Sequence, residues 1–293
     1  MPTCIRRVPW TDRGIRGLVL VLGIALGMPT AAHADEVPFV TTPTGIVDAM
    51  LSIAGVGEKD YLFDLGSGDG RIVIAAAKRF HARGVGIEYD GTLIAQSRES
   101  AAREGVSDRV TFLQQDIFAS DFRDATVLTM YLLPEVNLDL RPRILFELRP
   151  GTRVVSHDWG MGDWKPDDQR VIPTSEKTVW PLAESRVFLW IVPARVAGYW
   201  RGTLAGPEGE EPVVIEFAQR FQNASASVWL RRWTMTGSGD IRGYGVSLRL
   251  DRSSWKPGSA PLLFTLRVDG GVIEGEALDG RERFHLRASR VVD

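Results

Sequence analysis

The chain has 293 residues, of which 44% are hydrophobic and 25% charged, with a formal net charge of −2 and one cysteine. That is enough apolar material for one large globular domain or two ordinary ones. The arginines are scattered rather than clustered, which excludes a basic nucleic-acid surface, and the lone cysteine excludes a disulfide framework.

At the N-terminus, Arg6, Arg7, Arg13 and Arg16 precede an apolar run over 17–26, and small residues then lead to Ala32-His33-Ala34. A basic stretch, an apolar stretch and an A-x-A site read as a secretory signal peptide over 1–34. The run falls short of the roughly 20 apolar residues of a spanning helix. We therefore expect an exported, periplasmic protein, with an uncleaved inner-membrane anchor as the alternative. Cleavage would remove Cys4, so the mature chain would carry no thiol.

From residue 35 to about 194 the chain alternates helix and strand signals. Thr42 and Pro43 read as an N-cap and first helical residue, followed by the stripe Ile46, Val47, Met50, Leu51 and Ala54. The apolar run from Tyr61 predicts a buried parallel strand. Asp64-Leu65-Gly66-Ser67-Gly68-Asp69-Gly70 comes next, and then a helix whose Val73, Ala76, Ala77 and Phe80 share a face. Further strands are expected at 84–88, 110–113, 125–131 and 152–156. A helical region at 135–148 should break at Pro142, which cannot continue the backbone ladder. The whole reads as a doubly wound, Rossmann-like α/β sheet.

Beyond residue 195 the period changes to two. Val213, Ile215 and Phe217 alternate with polar or small residues, as do Tyr244, Val246, Leu248 and Leu250, then Leu262, Phe264, Leu266 and Val268, then Phe284, Leu286 and Ala288. A small antiparallel barrel or sandwich of about seven or eight strands is expected over 195–293. Gly198-Tyr199-Trp200 is similar to the G-x-W opening of lipocalin-like barrels, with Trp200 as a core plug.

The glycine turn carries the chemistry. A dinucleotide fold shows G-x-G-x-x-G with a pyrophosphate on the helix N-terminus. Here the pattern is D-x-G-x-G-x-G, and the leading Asp64 would repel a pyrophosphate but suits a cation. S-adenosylmethionine carries an ammonium and a sulfonium and no phosphate. Glu88 ends the next strand about 20 residues on, where a ribose-binding acid belongs. A nucleotide-dependent oxidoreductase is disfavoured on the same spacing.

Asp64 to Gly70, Glu88, and Gln115-Asp116-Ile117 resemble the successive motifs of class I S-adenosylmethionine-dependent methyltransferases. Residues 130–135, 140–142 and 150–156 further resemble the ATP synthase c-subunit lysine methyltransferase family and its bacterial relatives. Val37-Pro38-Phe39-Val40-Thr41-Thr42-Pro43 resembles the segment that folds over the cofactor in that family. The resemblance implies S-adenosylmethionine as cofactor and a seven-stranded sheet that ends in an antiparallel hairpin, which segments 178–180 and 186–191 would supply. It places Asp64 at the cofactor's amino group, the backbone of Gly66, Ser67, Gly68 and Gly70 along the methionine moiety, and Glu88 at the ribose hydroxyls. Asp116 and the Ile117 amide would face the adenine.

On the acceptor side, Tyr131 is the candidate pocket residue, and His157, Asp158 and Trp159 rim the site. The implied acceptor is a protein lysine or a small molecule, and the leader makes a membrane-proximal one an option. The absence of an N-P-P-Y signature argues against nucleic-acid bases, and no metal constellation is visible. The competing reading is a non-catalytic exported binding protein, with the barrel as its ligand- or partner-binding module.

Overall fold

The computed structural model describes residues 40–177, 183–231, 233–251, 258–279 and 282–292. The leader expected over 1–34 and the strand expected at 178–180 lie outside these residues. Among the described residues, no helix is long and apolar enough to cross a membrane.

The first part runs α1 (Thr44–Ile53), β1 (Tyr61–Leu65), α2 (Arg71–Phe80), β2 (Arg83–Glu88), α3 (Gly91–Arg103), β3 (Val110–Gln114), β4 (Val127–Met130), α4 (Pro134–Glu147), β5 (Arg153–His157), β6 (Asp168–Pro173) and β7 (Glu184–Ile191). These strands form one seven-stranded sheet in the order β3-β2-β1-β4-β5-β7-β6. The first five are parallel, and β7 runs antiparallel between β5 and β6. Ile46, Met50, Val73, Ala76 and Ile94 from α1–α3 cover one face, over Leu62, Val127 and Val155. Leu140, Ile144 and Leu148 cover the other, over Phe63, Leu65, Leu128 and Met130. With helices on both faces, the strands can be apolar throughout. The strand order reverses between β1 and β4, which opens a crevice at their carboxyl ends.

Three expectations are corrected. The hairpin partner of β7 is β6 at Asp168–Pro173. It is a mostly exposed polar edge strand, so it gives no hydrophobic period to read. The helix does not break at Pro142: α4 is continuous across it. Proline removes a single ladder bond there, and fully buried Leu140 and Ile144 hold the helix on the sheet from either side. Thr42 does not cap α1. Pro43 occupies the cap position, and its carbonyl accepts from Ile46 and Val47 at 2.9 and 3.0 Å. The Thr42 hydroxyl is used elsewhere, as described below.

Strands β8 (Gly198–Gly206), β9 (Gly209–Arg220), β10 (Asn223–Trp229), β11 (Thr234–Arg242), β12 (Gly245–Asp251), β13 (Leu262–Asp269), β14 (Val272–Asp279) and β15 (Glu282–Arg290) close into an antiparallel barrel, β15 pairing with β8. The alternating apolar residues point inward into one cluster. Tyr244 is the exception, lying in the turn before β12. Trp200 is fully buried, donates from Nε1 to the Val196 carbonyl at 2.7 Å, and has the Arg290 guanidinium 4.4 Å over its ring. At Gly202 a Cβ would lie 1.9 Å from the Arg287 carbonyl oxygen, so the barrel can close there only on a glycine.

The barrel is seated on the α4 side of the sheet. Phe221 stacks on Trp164 with centroids 6.0 Å apart, and Asp163 takes both Arg141 at 2.5 Å and Arg220 at 2.6 Å. The Ala194 amide donates to the Gly243 carbonyl at 2.8 Å.

Candidate active site

The glycine turn leaves the end of β1 at the strand-order reversal. Gly66, Gly68 and Gly70 have φ of 71, 53 and 79°, and Gly70 is the residue from which α2 starts. A Cβ at Gly70 would lie 2.7 Å from the Phe112 ring, so both conformation and space demand glycine. Gly66 packs against Leu132, just beyond β4, which joins the turn to the neighbouring strand end. Gly70 leaves the first amides of α2 without intrahelical partners, as at any helix start.

Asp64 is 2% exposed and pairs in register with Thr129 of β4, whose hydroxyl donates to Oδ1 at 2.7 Å. Among the described residues no cation pairs with it. Burial pushes its carboxyl up to about 8, against the hydrogen bond from Thr129 and with help from the charges of Glu88 and Asp69. A carboxylic acid in this state is a binding site for a cation, because an incoming positive charge restores the ionised form.

Glu88 ends β2, and its Oε2 accepts from the Gly68 amide at 3.0 Å. Its Oε1 accepts from the amides of Tyr89 and Asp90 at 2.7 and 3.0 Å. These three donors fix the carboxylate beside the turn. Asp116 is exposed after β3, with Oδ1 accepting from the Phe118 amide at 2.8 Å. The Ile117 carbonyl accepts from Arg143 at 3.2 Å, which pins this loop to α4.

Whether these residues fit S-adenosylmethionine is decided by what they leave unsatisfied. The Ser67 hydroxyl is buried with no hydrogen-bond partner, inside the turn. A buried unpaired hydroxyl is costly, and a ligand would relieve it. Together with the uncompensated Asp64 and the fixed Glu88, the set matches an ammonium, a diol and a phosphate-free backbone path, so the residues fit.

The acceptor side lies at the carboxyl ends of β4 and β5. Tyr131 follows β4 and is half-buried, and its ring lies 3.9 Å from that of His157 at 32°. Its hydroxyl donates to Asp158 Oδ2 at 3.2 Å. Burial and the charge of Asp158 hold the phenol well above its ordinary range. His157 is fully buried, with Nδ1 3.3 Å from the Thr42 hydroxyl and Nε2 2.9 Å from the Ser185 hydroxyl. Burial lowers it to about 4, so the imidazole is neutral, although Asp158 favours its cation. The Thr42 carbonyl accepts from Arg71 at 2.9 Å, and Arg71 in turn holds Asp69 of the turn at 2.5 Å. Thr42 thus ties the cofactor turn to the acceptor cluster. Trp159 contributes a carbonyl that accepts from Asn137 at 3.2 Å.

Sequence reading missed Thr129, Ser185 and Lys177, and met Thr42 only as a helix cap and as part of the segment that resembles a cofactor cover. Thr129 is visible in principle from the pairing of β1 with β4, since it stands directly opposite Asp64. Ser185 and Lys177 come from distant segments and carry no local signal. Among the described residues, no group of three or more metal-ligating side chains gathers.

A family model described as the ANTKMT methyltransferase domain matches residues 64–168. A protein-lysine N-methyltransferase of Saccharolobus islandicus (strain REY15A) is 41% identical over 138 residues, covering 47% of this chain and 86% of that protein. The ATP synthase c-subunit lysine N-methyltransferase of Rattus norvegicus is 34% identical over 158 residues, 53% of this chain and 72% of that protein. A crystal structure of an RNA methyltransferase from Salinibacter ruber in complex with S-adenosyl-L-homocysteine is 48% identical, covers 54% of this chain and 96% of that chain, and has a TM-score of 0.49.

Proposed function

We propose, from the premise that this chain belongs to the family of S-adenosylmethionine-dependent protein-lysine methyltransferases, that it methylates the ε-amine of lysine in a protein. The observation that carries the reading is Asp64, a buried acid without a cationic partner among the described residues, at the head of a turn that also buries an unpaired hydroxyl.

S-adenosylmethionine, when bound, supplies an electrophilic methyl group on a sulfonium. Asp64 would hold its ammonium, Glu88 its ribose hydroxyls, and the Gly66–Ser67–Gly68 backbone its methionine chain. Asp116 would meet the adenine amine. The rest is positioning and exclusion of water by the protein. The acceptor amine must present a free lone pair to the methyl group, so it sheds its proton before transfer. Tyr131 and His157 stay neutral across the working range, so neither competes for charge with the acceptor.

Incubation of the full chain with methyl-labelled S-adenosylmethionine and cell proteins, followed by acid hydrolysis, should return the label as methyl-lysine. Label in RNA alone, or none in any fraction, would overturn the reading. We extend the proposal to location: the leader directs the chain to the envelope, and the acceptor is a membrane-proximal protein. An N-terminal sequence starting at Met1 in a cytosolic fraction would sink that extension.

A further inference from the structure

Lys177 is out of character for its residue type. Lys59, Lys78 and Lys165 are exposed, whereas the Lys177 side chain is 1% exposed. Its Nζ lies 2.5 Å from Asp158 Oδ2 and donates to the Glu184 carbonyl at 3.0 Å. Lysine is almost never fully buried unless paired. As a stability device such a pair is poor, since apolar residues of similar volume usually do as well or better.

Asp158 is built to receive a cation. It holds a left-handed backbone at φ 62°, a strained state for a non-glycine residue that concentrates at functional sites. Its Oδ1 is taken by the Arg186 amide at 3.0 Å. Its Oδ2 faces Lys177, the Tyr131 hydroxyl at 3.2 Å and His157 Nε2 at 3.5 Å. One oxygen is therefore fixed by backbone and the other is presented, with Tyr131, to an ammonium. The cluster sits at the ends of β4 and β5, on the same sheet edge as the glycine turn, and Thr42 links the two.

We propose that Asp158, Tyr131 and the Glu184 carbonyl form the recognition site for the acceptor's ammonium. In the resting chain Lys177 fills that site as a built-in stand-in, and an incoming lysine displaces it. The inference rests on the protein-lysine reading and names the residues that read the lysine. Asp158 and Tyr131 capture the charged amine, which gives up its proton to water before transfer. Lys177 sets a threshold, because the fraction of molecules with an open site scales the apparent acceptor affinity.

The test uses the full chain and n-butylammonium as probe. In the cofactor-free protein, K177A should bind butylammonium, seen as a concentration-dependent rise in Tm and in NMR shifts of Tyr131, whereas wild type should not. The K177A/D158N double variant should lose that binding. With S-adenosylmethionine and a lysine peptide, K177A should lower the acceptor KM by about tenfold or more and leave the cofactor KM unchanged. Butylammonium should then inhibit K177A competitively against the peptide, and K177R should behave as wild type. K177M, which keeps the length of the stem, serves if K177A does not fold. A folded K177A or K177M that binds butylammonium no better than wild type would overturn the proposal. So would non-competitive inhibition, or an acceptor KM that rises. Wild-type turnover on lysine is scored separately. Its absence alongside butylammonium binding would sink the functional reading and leave the ammonium site standing.

Discussion

Asp64→Asn removes one ionisable group whose folded and unfolded states differ widely. The folded carboxyl sits at about 8 because it is buried, while an unfolded Asp titrates near its ordinary value of about 3.9. Between those values the folded chain holds a proton that the unfolded chain has released, so stability falls as pH rises, by about 1.4 kcal/mol per unit. His157 has the opposite sign. Its folded value is lowered to about 4, so up to about 6.5 the unfolded chain binds a proton that the folded one does not, and stability rises with pH. The two slopes cancel from about pH 4 to 6.5, and from there to about 8 Asp64 acts alone. Wild-type stability should therefore be level and then drop by about 2 kcal/mol. In D64N the level stretch becomes a rise of about 3 kcal/mol, and the later drop disappears. By pH 8 the variant should be more stable than wild type by about 5 kcal/mol, a large share of a typical domain's total. The same variant should lose cofactor binding, since the ammonium has no counter-charge. In wild type, cofactor affinity should climb towards tenfold per pH unit below about pH 8, because binding must first expel the Asp64 proton. Urea unfolding of the cofactor-free chain and calorimetric titration with S-adenosylmethionine, both over pH 5 to 8.5 on the order of half-unit steps, check this. A wild-type curve that does not fall above pH 6.5, or D64N with wild-type affinity at about pH 8, refutes the reasoning.

Glu88→Ala should weaken S-adenosylmethionine binding by roughly 10- to 100-fold in the same calorimetry, the worth of hydrogen bonds to a charged group. Gly70→Ala forces a side chain into a left-handed backbone and onto the Phe112 ring. It should cost about 2–4 kcal/mol in urea unfolding, from strain and overpacking together. Tyr131→Phe keeps the ring against His157 and removes the bond to Asp158. Steady-state assays should show the acceptor KM raised by about threefold to tenfold, with cofactor affinity unchanged. A change in cofactor affinity instead would move Tyr131 to the other side of the site.

The parts of this fold that were legible are those in which a short local pattern has one physical solution. Three alternating glycines behind an apolar strand can only be a turn that starts a helix, and the structure has them at φ 71, 53 and 79°. Period-two alternation over 213–288 fixed the inward face of the barrel, and Tyr244 escaped it because it lies in a turn. Pro142 misled because the local rule takes no account of packing: Leu140 and Ile144 bury against the sheet and outweigh one missing ladder bond. Thr42 misled for a related reason. Capping is a preference of an isolated helix end, and here the hydroxyl meets His157 while Pro43 supplies the carbonyl.

The cofactor half of the site and the acceptor half differ in this respect for a topological reason. Asp64, Ser67, Glu88 and Asp116 lie at or just beyond the carboxyl ends of the successive parallel strands β1, β2 and β3, so spacing along the chain records their positions. The acceptor cluster is assembled across long separations. Thr42 reaches His157 over 115 residues, and Ser185 reaches it over 28. Lys177 approaches Asp158 from the connection between the two antiparallel strands, which return beside β5. Such contacts are set by the order β5-β7-β6 and not by any motif. The cluster proposed to read the substrate is thus one that no spacing along the chain records. The Lys177–Asp158 pair is the place to look for what this chain accepts.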